Sequence, residues 1–119
     1  MKVCLPTTGK GGLDDLVSEH FGRSATFTVV DTDSEQVRIV NNTSEHMGGT
    51  GKPPELIAQT GAQVLICSGL GPMAIDMLGS FGIQVYVGAS GSVKDAIKMW
   101  KGGLLESASE RNACKDHHH

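Results

Sequence analysis

What this 119-residue chain lacks narrows its chemistry before any motif is weighed. No apolar run approaches the roughly 20 residues needed to cross a bilayer. The lysine at position 2 is not followed by an apolar stretch, so Met1–Pro6 does not read as a signal peptide. The expectation is a cytoplasmic protein with no membrane partner. Positive charge is not in excess either. The net charge is −3, and no basic face offers itself to nucleic acid, whose phosphates demand clustered Lys and Arg. Any anion site must therefore arise from local geometry.

Sulfur and acid are equally sparse where chemistry would want them. The three cysteines, Cys4, Cys67 and Cys114, are widely spaced, odd in number and form no CxxC pair. That excludes a disulfide framework and fits free thiols in a reducing compartment. Cys4 and Cys67 fall inside apolar runs and read as small core residues. Cys114, near His117, His118 and His119, could bind metal through a loose tail; the three histidines could also be the remnant of a purification tag. A nuclease of ribonuclease-H type would want a carboxylate on its first strand for Mg²⁺, and Met1–Thr7 has none. No Ser-His-Asp or Cys-His arrangement stands out.

Glycine, by contrast, is abundant: 16 of 119 residues, about 13%, against an average near 7%. The glycines sit at turns between apolar runs. Strands are predicted over 1–7, 25–32, 36–41, 63–68 and 83–87, with a hairpin turn at Asp33-Ser34-Glu35. Helices are predicted from Pro53 to about Thr60, from Pro72 to Gly82, and from Ser92 to Gly102. This order gives a mixed, mostly parallel sheet of five strands with helices on its faces. Residues 1–106 form one α/β domain, and 107–119 lack apolar periodicity and read as a disordered tail. Ligands in such sheets bind beyond the carboxyl ends of the parallel strands. That predicts one rim built by Thr7–Gly12, Ser68–Pro72 and Gly88–Gly91.

Three strings on or near this rim could bind an anion. Thr8-Gly9-Lys10-Gly11-Gly12 could turn backbone N–H groups outward, although it is no phosphate loop of the Gly-Lys-Ser/Thr kind; it could equally be a surface turn. Ser68-Gly69-Leu70-Gly71-Pro72 leads from a strand into a helix N-terminus, with its unpaired N–H groups and partial positive charge. Ser18-Glu19-His20-Phe21-Gly22-Arg23 places a permanent cation beside a titratable imidazole, with Phe21 able to anchor the string. Its plain alternative is a turn in which Arg23 pairs with Glu19 or Asp31. In the long loop, His46 beside Met47, Gly48 and Gly49 could be solvated or could serve a soft metal.

Three of these strings carry a resemblance. Val17-Ser18-Glu19-His20-Phe21-Gly22-Arg23, Gly69-Leu70-Gly71-Pro72-Met73-Ala74 and Gly82-Ile83-Gln84-Val85-Tyr86 occur in the order found in the dinitrogenase iron–molybdenum cofactor biosynthesis family. Its small single-domain members, the orange-protein branch included, are similar in length. The resemblance spans residues 1–105. It implies a ribonuclease-H-like mixed α/β sheet and non-catalytic binding, carrying or storage of a metal–sulfur cluster or its precursor. That cluster would be of iron–sulfur, iron–molybdenum or molybdenum–copper type. It implies donor and acceptor proteins as partners, and a binding rim flanked by His20, Phe21, Arg23, Gly69, Leu70, Gly71 and Pro72 and covered by the loop of His46 and Gly49; the glycine-rich turn read above adds Thr8 and Gly9 to the candidate binding residues. His46 and Cys114 are the candidate metal ligands. A large polarizable anion held by amides, a guanidinium and an imidazole would bind weakly enough to be handed on; permanent centres use several thiolates. The chain is expected to be a monomer or a weak homo-oligomer. The rival reading is a regulatory module that senses a nucleotide or another small anion with the same loops.

Overall fold

The structure, a computed structural model, describes residues 1–108 and all side chains among them except that of His46. Cys114 and the terminal histidines lie outside the described residues. Nine regular elements follow in the order β1 (Lys2–Thr7), β2 (Thr26–Asp31), β3 (Val37–Asn41), α1 (Pro53–Gln59), β4 (Val64–Ile66), α2 (Pro72–Ser80), β5 (Gln84–Val87), α3 (Val93–Lys101) and β6 (Glu106–Ser107). The sheet order is β3-β2-β1-β4-β5-β6. β1, β4 and β5 run parallel; β2, β3 and β6 run against their neighbours.

The mixed α/β sheet expected from the sequence is present, with six strands rather than five. β6 is two residues long and polar, so it carries no apolar alternation to announce it. It exists through backbone pairing with β5 and through the Ala108 N–H, which donates to the Val85 carbonyl at 2.7 Å. The described residues run on to Ala108.

The sheet has a core on each face, as strand alternation requires. Cys4, Phe27, Leu65 and Val85 point to one side and meet Ile57 of α1 and Leu78 of α2. Val3, Leu5, Val64 and Ile66 point to the other and meet Val93, Ala96 and Ile97 of α3. β1 is central and buried on both faces, which explains its unbroken apolar run. The β2–β3 turn is held by Asp31, whose Oδ1 accepts from the N–H groups of Asp33 and Ser34 at 2.9 and 3.3 Å. Among the described residues no helix is long and apolar enough to cross a membrane.

Candidate functional site

Because β1, β4 and β5 are parallel, their carboxyl ends share one edge of the sheet. The turns that follow them gather there, as the strand order predicts. They are not equivalent.

The Thr8–Gly12 turn is already occupied by a carboxylate of its own chain. Asp15 Oδ2 accepts from the N–H groups of Gly9 and Gly11 at 2.9 and 2.8 Å, and its Oδ1 accepts from the Thr8 hydroxyl and the Leu16 N–H at 3.0 and 2.8 Å. Partial burial would raise the Asp15 pKa, but these hydrogen bonds to the ionised form outweigh it and hold the carboxyl below its usual range. The Gly12 N–H goes to the Thr28 hydroxyl at 3.0 Å. The same segment closes the N-terminus of α3: the Val93 and Lys94 N–H groups donate to the Asp15 and Leu13 carbonyls, and Asp95 N–H to the Ser92 hydroxyl. The Gly9 N–H is thus taken up by Asp15 within the chain.

The Gly69–Gly71 turn is left open. Gly71 caps α2 without a side chain, and Pro72 has no N–H to offer. The N–H groups of Met73 and Ala74 find no acceptor among the described residues. Both residues line a cleft of about 850 Å³. A helix end in this state favours an anion by about 0.3–1 kcal/mol when exposed.

The same cleft is lined by Glu19–Arg23, folded into a 3-10 turn at Phe21–Arg23. Phe21 is buried and packs on Phe27 with ring centres 6.0 Å apart. The buried Asn42 clamps the turn from β3, its side-chain amide donating to the Gly22 and Ser24 carbonyls at 3.0 and 2.8 Å. Ser18 N–H donates to the Pro6 carbonyl, and His20 N–H to the Ser18 hydroxyl. With the backbone fixed this way, Arg23 is exposed in the cleft wall, and its guanidinium makes no ion pair or hydrogen bond with another described residue. The alternative pairing with Glu19 or Asp31 is not formed; Asp31 instead lies 3.8 Å from the N-terminal ammonium.

Lys52, Glu19 and Glu45 add charges of both signs, and Met73 and Met77 add thioethers. The donor set does not suit inner-sphere metal ligation. Among the described residues no three His, Cys, Asp or Glu side chains cluster as a metal site. Cys4 and Cys67 are fully buried, and burial, with Cys67 next, pushes the Cys4 thiol far above its ordinary range. The set does suit a bulky anion held from its outer surface by N–H donors, a guanidinium and soft sulfur.

The structure thus brings His20, Phe21, Arg23, Gly69, Leu70 and Gly71 to one cleft. Thr8 lines a smaller cavity of about 360 Å³ that shares Glu19 and His20 with it. Pro72 only starts α2. Gly49 lines neither cavity, and a Cβ there would lie 1.9 Å from the Thr43 carbonyl oxygen, so the loop needs glycine for its own closure. The backbone of His46 lies in a 3-10 turn, Glu45–Met47, but its side chain, like all of Cys114, is outside what is described. Sequence reasoning missed Lys52, Met73, Met77 and Asn42. Met73 and Met77 carried a signal, their i, i+4 spacing just after the Gly-rich turn; Asn42 carried none beyond following a strand.

The family model described as dinitrogenase iron–molybdenum cofactor matches residues 1–103. An uncharacterized protein of Methanocaldococcus jannaschii is 32% identical over 111 residues, which is 89% of this chain and 90% of that protein. The apo form of the orange protein from Desulfovibrio gigas superposes with a TM-score of 0.81 at 28% identity, covering 91% of this chain and 92% of that one. A candidate NifB protein from Thermotoga, of the DUF35 family, gives 0.75 at 34% identity, with 89% and 91% covered. The chain belongs to the dinitrogenase iron–molybdenum cofactor family.

Proposed function

We propose that this chain binds and carries an anionic metal–sulfur cluster, or a precursor of one, in the cleft between the Phe21–Arg23 turn and the N-terminus of α2, without catalysing a reaction. The observation that carries the reading is that two sets of unspent donors belong to residues lining one cleft: the Arg23 guanidinium, and the Met73 and Ala74 N–H groups. An iron–sulfur, iron–molybdenum or molybdenum–copper cluster is large, polarizable and negatively charged. It matches donors of this kind without thiolate ligands. Family membership and the likeness to the orange protein support the same ligand class. A guest held by outer contacts can be taken from a donor protein and passed to an acceptor, the partners this reading requires.

Anaerobic incubation with iron and sulfide, or with thiomolybdate with and without copper, tests it. The expected result is a chromophore that stays with the protein on desalting, weakened about tenfold or more in Arg23→Ala, a change of about 1.4 kcal/mol. A wild-type protein that takes up no chromophore overturns the reading. Tight calorimetric binding of a nucleotide without metal uptake would favour the small-anion sensor instead.

A further inference from the structure

The outer edge of β3 is a strand edge without proline or bulge. β3 ends the sheet on one side, and no described residue pairs with its outer edge. The described chain stops at Ala108, bonded beside β5 at the opposite side of the sheet. Natural edges are blunted by proline, bulges or outward charge. Val37–Asn41 contains no proline and pairs with β2 in unbroken register. Its one charged side chain, Arg38, donates to the Thr60 carbonyl at 2.8 Å.

The hydrogen-bond parity identifies which residues face outward. Asp31 N–H donates to the Gln36 carbonyl, and Asn42 N–H to the Ala25 carbonyl. In an antiparallel pair the bonded positions alternate, so Gln36, Arg38, Val40 and Asn42 face β2. Val37, Ile39 and Asn41 turn their N–H and C=O groups to the open edge. The Val37 and Ile39 side chains are 39% and 47% exposed.

We infer that this edge pairs with the same edge of a second copy of the chain, antiparallel about a two-fold axis at Ile39. In that register Ile39 meets Ile39 of the second copy and Val37 meets Asn41, with about six exchanged backbone hydrogen bonds. No like charges oppose: Arg38 falls opposite Val40. Isologous closure satisfies both β3 edges at once and leaves no β3 edge to propagate. Five residues a side bury less than the roughly 1,200 Å² of a standard interface, so the dimer is weak and concentration-dependent.

Analytical ultracentrifugation of the full chain from micromolar to millimolar concentration tests the pairing. The expected result is a reversible monomer–dimer equilibrium. Ile39→Lys sets two ammonium groups against each other at the axis and weakens dimerisation tenfold or more. Val37→Lys, a second variant should Ile39→Lys fail to fold by circular dichroism, weakens it several-fold. Leu104→Ser, which removes an exposed apolar side chain far from β3 in sequence, leaves it unchanged. A wild type that stays monomeric throughout overturns the inference. So does a dimer that survives Ile39→Lys and Val37→Lys, or one lost in Leu104→Ser.

Discussion

Two glycine-rich turns stand at the same rim of this sheet and end in opposite states. The turn after β1 is filled by Asp15, and the neighbouring N-terminus of α3 is closed by the segment carrying that residue. The turn after β4 leads into α2 with no capping side chain, and residues of the turn and of the helix's first turn line a cleft. Glycine content is similar in both. What separates them is an acceptor placed a few residues downstream. A carboxylate within reach converts a ring of amides into a structural knot; its absence leaves the ring for a guest. Counting glycines therefore locates turns, while the nearest internal acceptor decides which turn can bind.

Asp15→Asn breaks the comparison most strongly. The amide can accept at one oxygen only, so two of the four hydrogen bonds to Asp15 are lost. A thermal melt should show a loss of about 2 kcal/mol. Cluster uptake should persist, because the filled turn is not the binding turn; loss of uptake in a folded Asp15→Asn protein would reverse the assignment. Gly71→Asp sharpens the comparison from the other side by giving α2 the internal acceptor it lacks. Gly71 has extended backbone angles that aspartate adopts freely. Chromophore retention should fall about tenfold, roughly 1.4 kcal/mol, while the melting temperature holds or rises slightly. Equal retention would mean that the α2 terminus is not part of the site.

Ser92→Ala removes the side-chain cap of α3 and should cost about 1 kcal/mol in a denaturant titration, with no change in uptake. The smallest effect is a pH dependence. The Asp15 pKa is depressed on folding, so its stabilisation is complete above the unfolded value near 4 and is lost as pH falls through the folded value. Wild type should lose stability more steeply than Asp15→Asn on acidification below about pH 4. Parallel curves would show that Asp15 is not held as drawn.

The same asymmetry explains what could be read from the sequence. Strands and helices with apolar periodicity were legible, and so was their gathering at one rim, because parallel topology alone places those ends together. The Arg23 wall was legible through a local string whose anchor, Phe21, is apolar and whose cation is unmistakable. The filled turn was not, because Asp15 reads as an unremarkable loop acid until the backbone folds around it. β6 was hidden because two polar residues have no pattern. Gly49 looked like a flexible ligand contact, yet the close approach of the Thr43 carbonyl fixes it for steric reasons that only coordinates reveal. Asn42 acts across 18 to 20 residues, a range local spacing does not cover.

The sealing of Cys4 and Cys67 within the core bears on how cargo would depart. No thiolate from the described part of the chain can reach a metal in the cleft. Unloading would then break no thiolate bond to the described residues; it would resemble ion exchange, hastened by salt and by any recipient that offers thiolate ligands of its own.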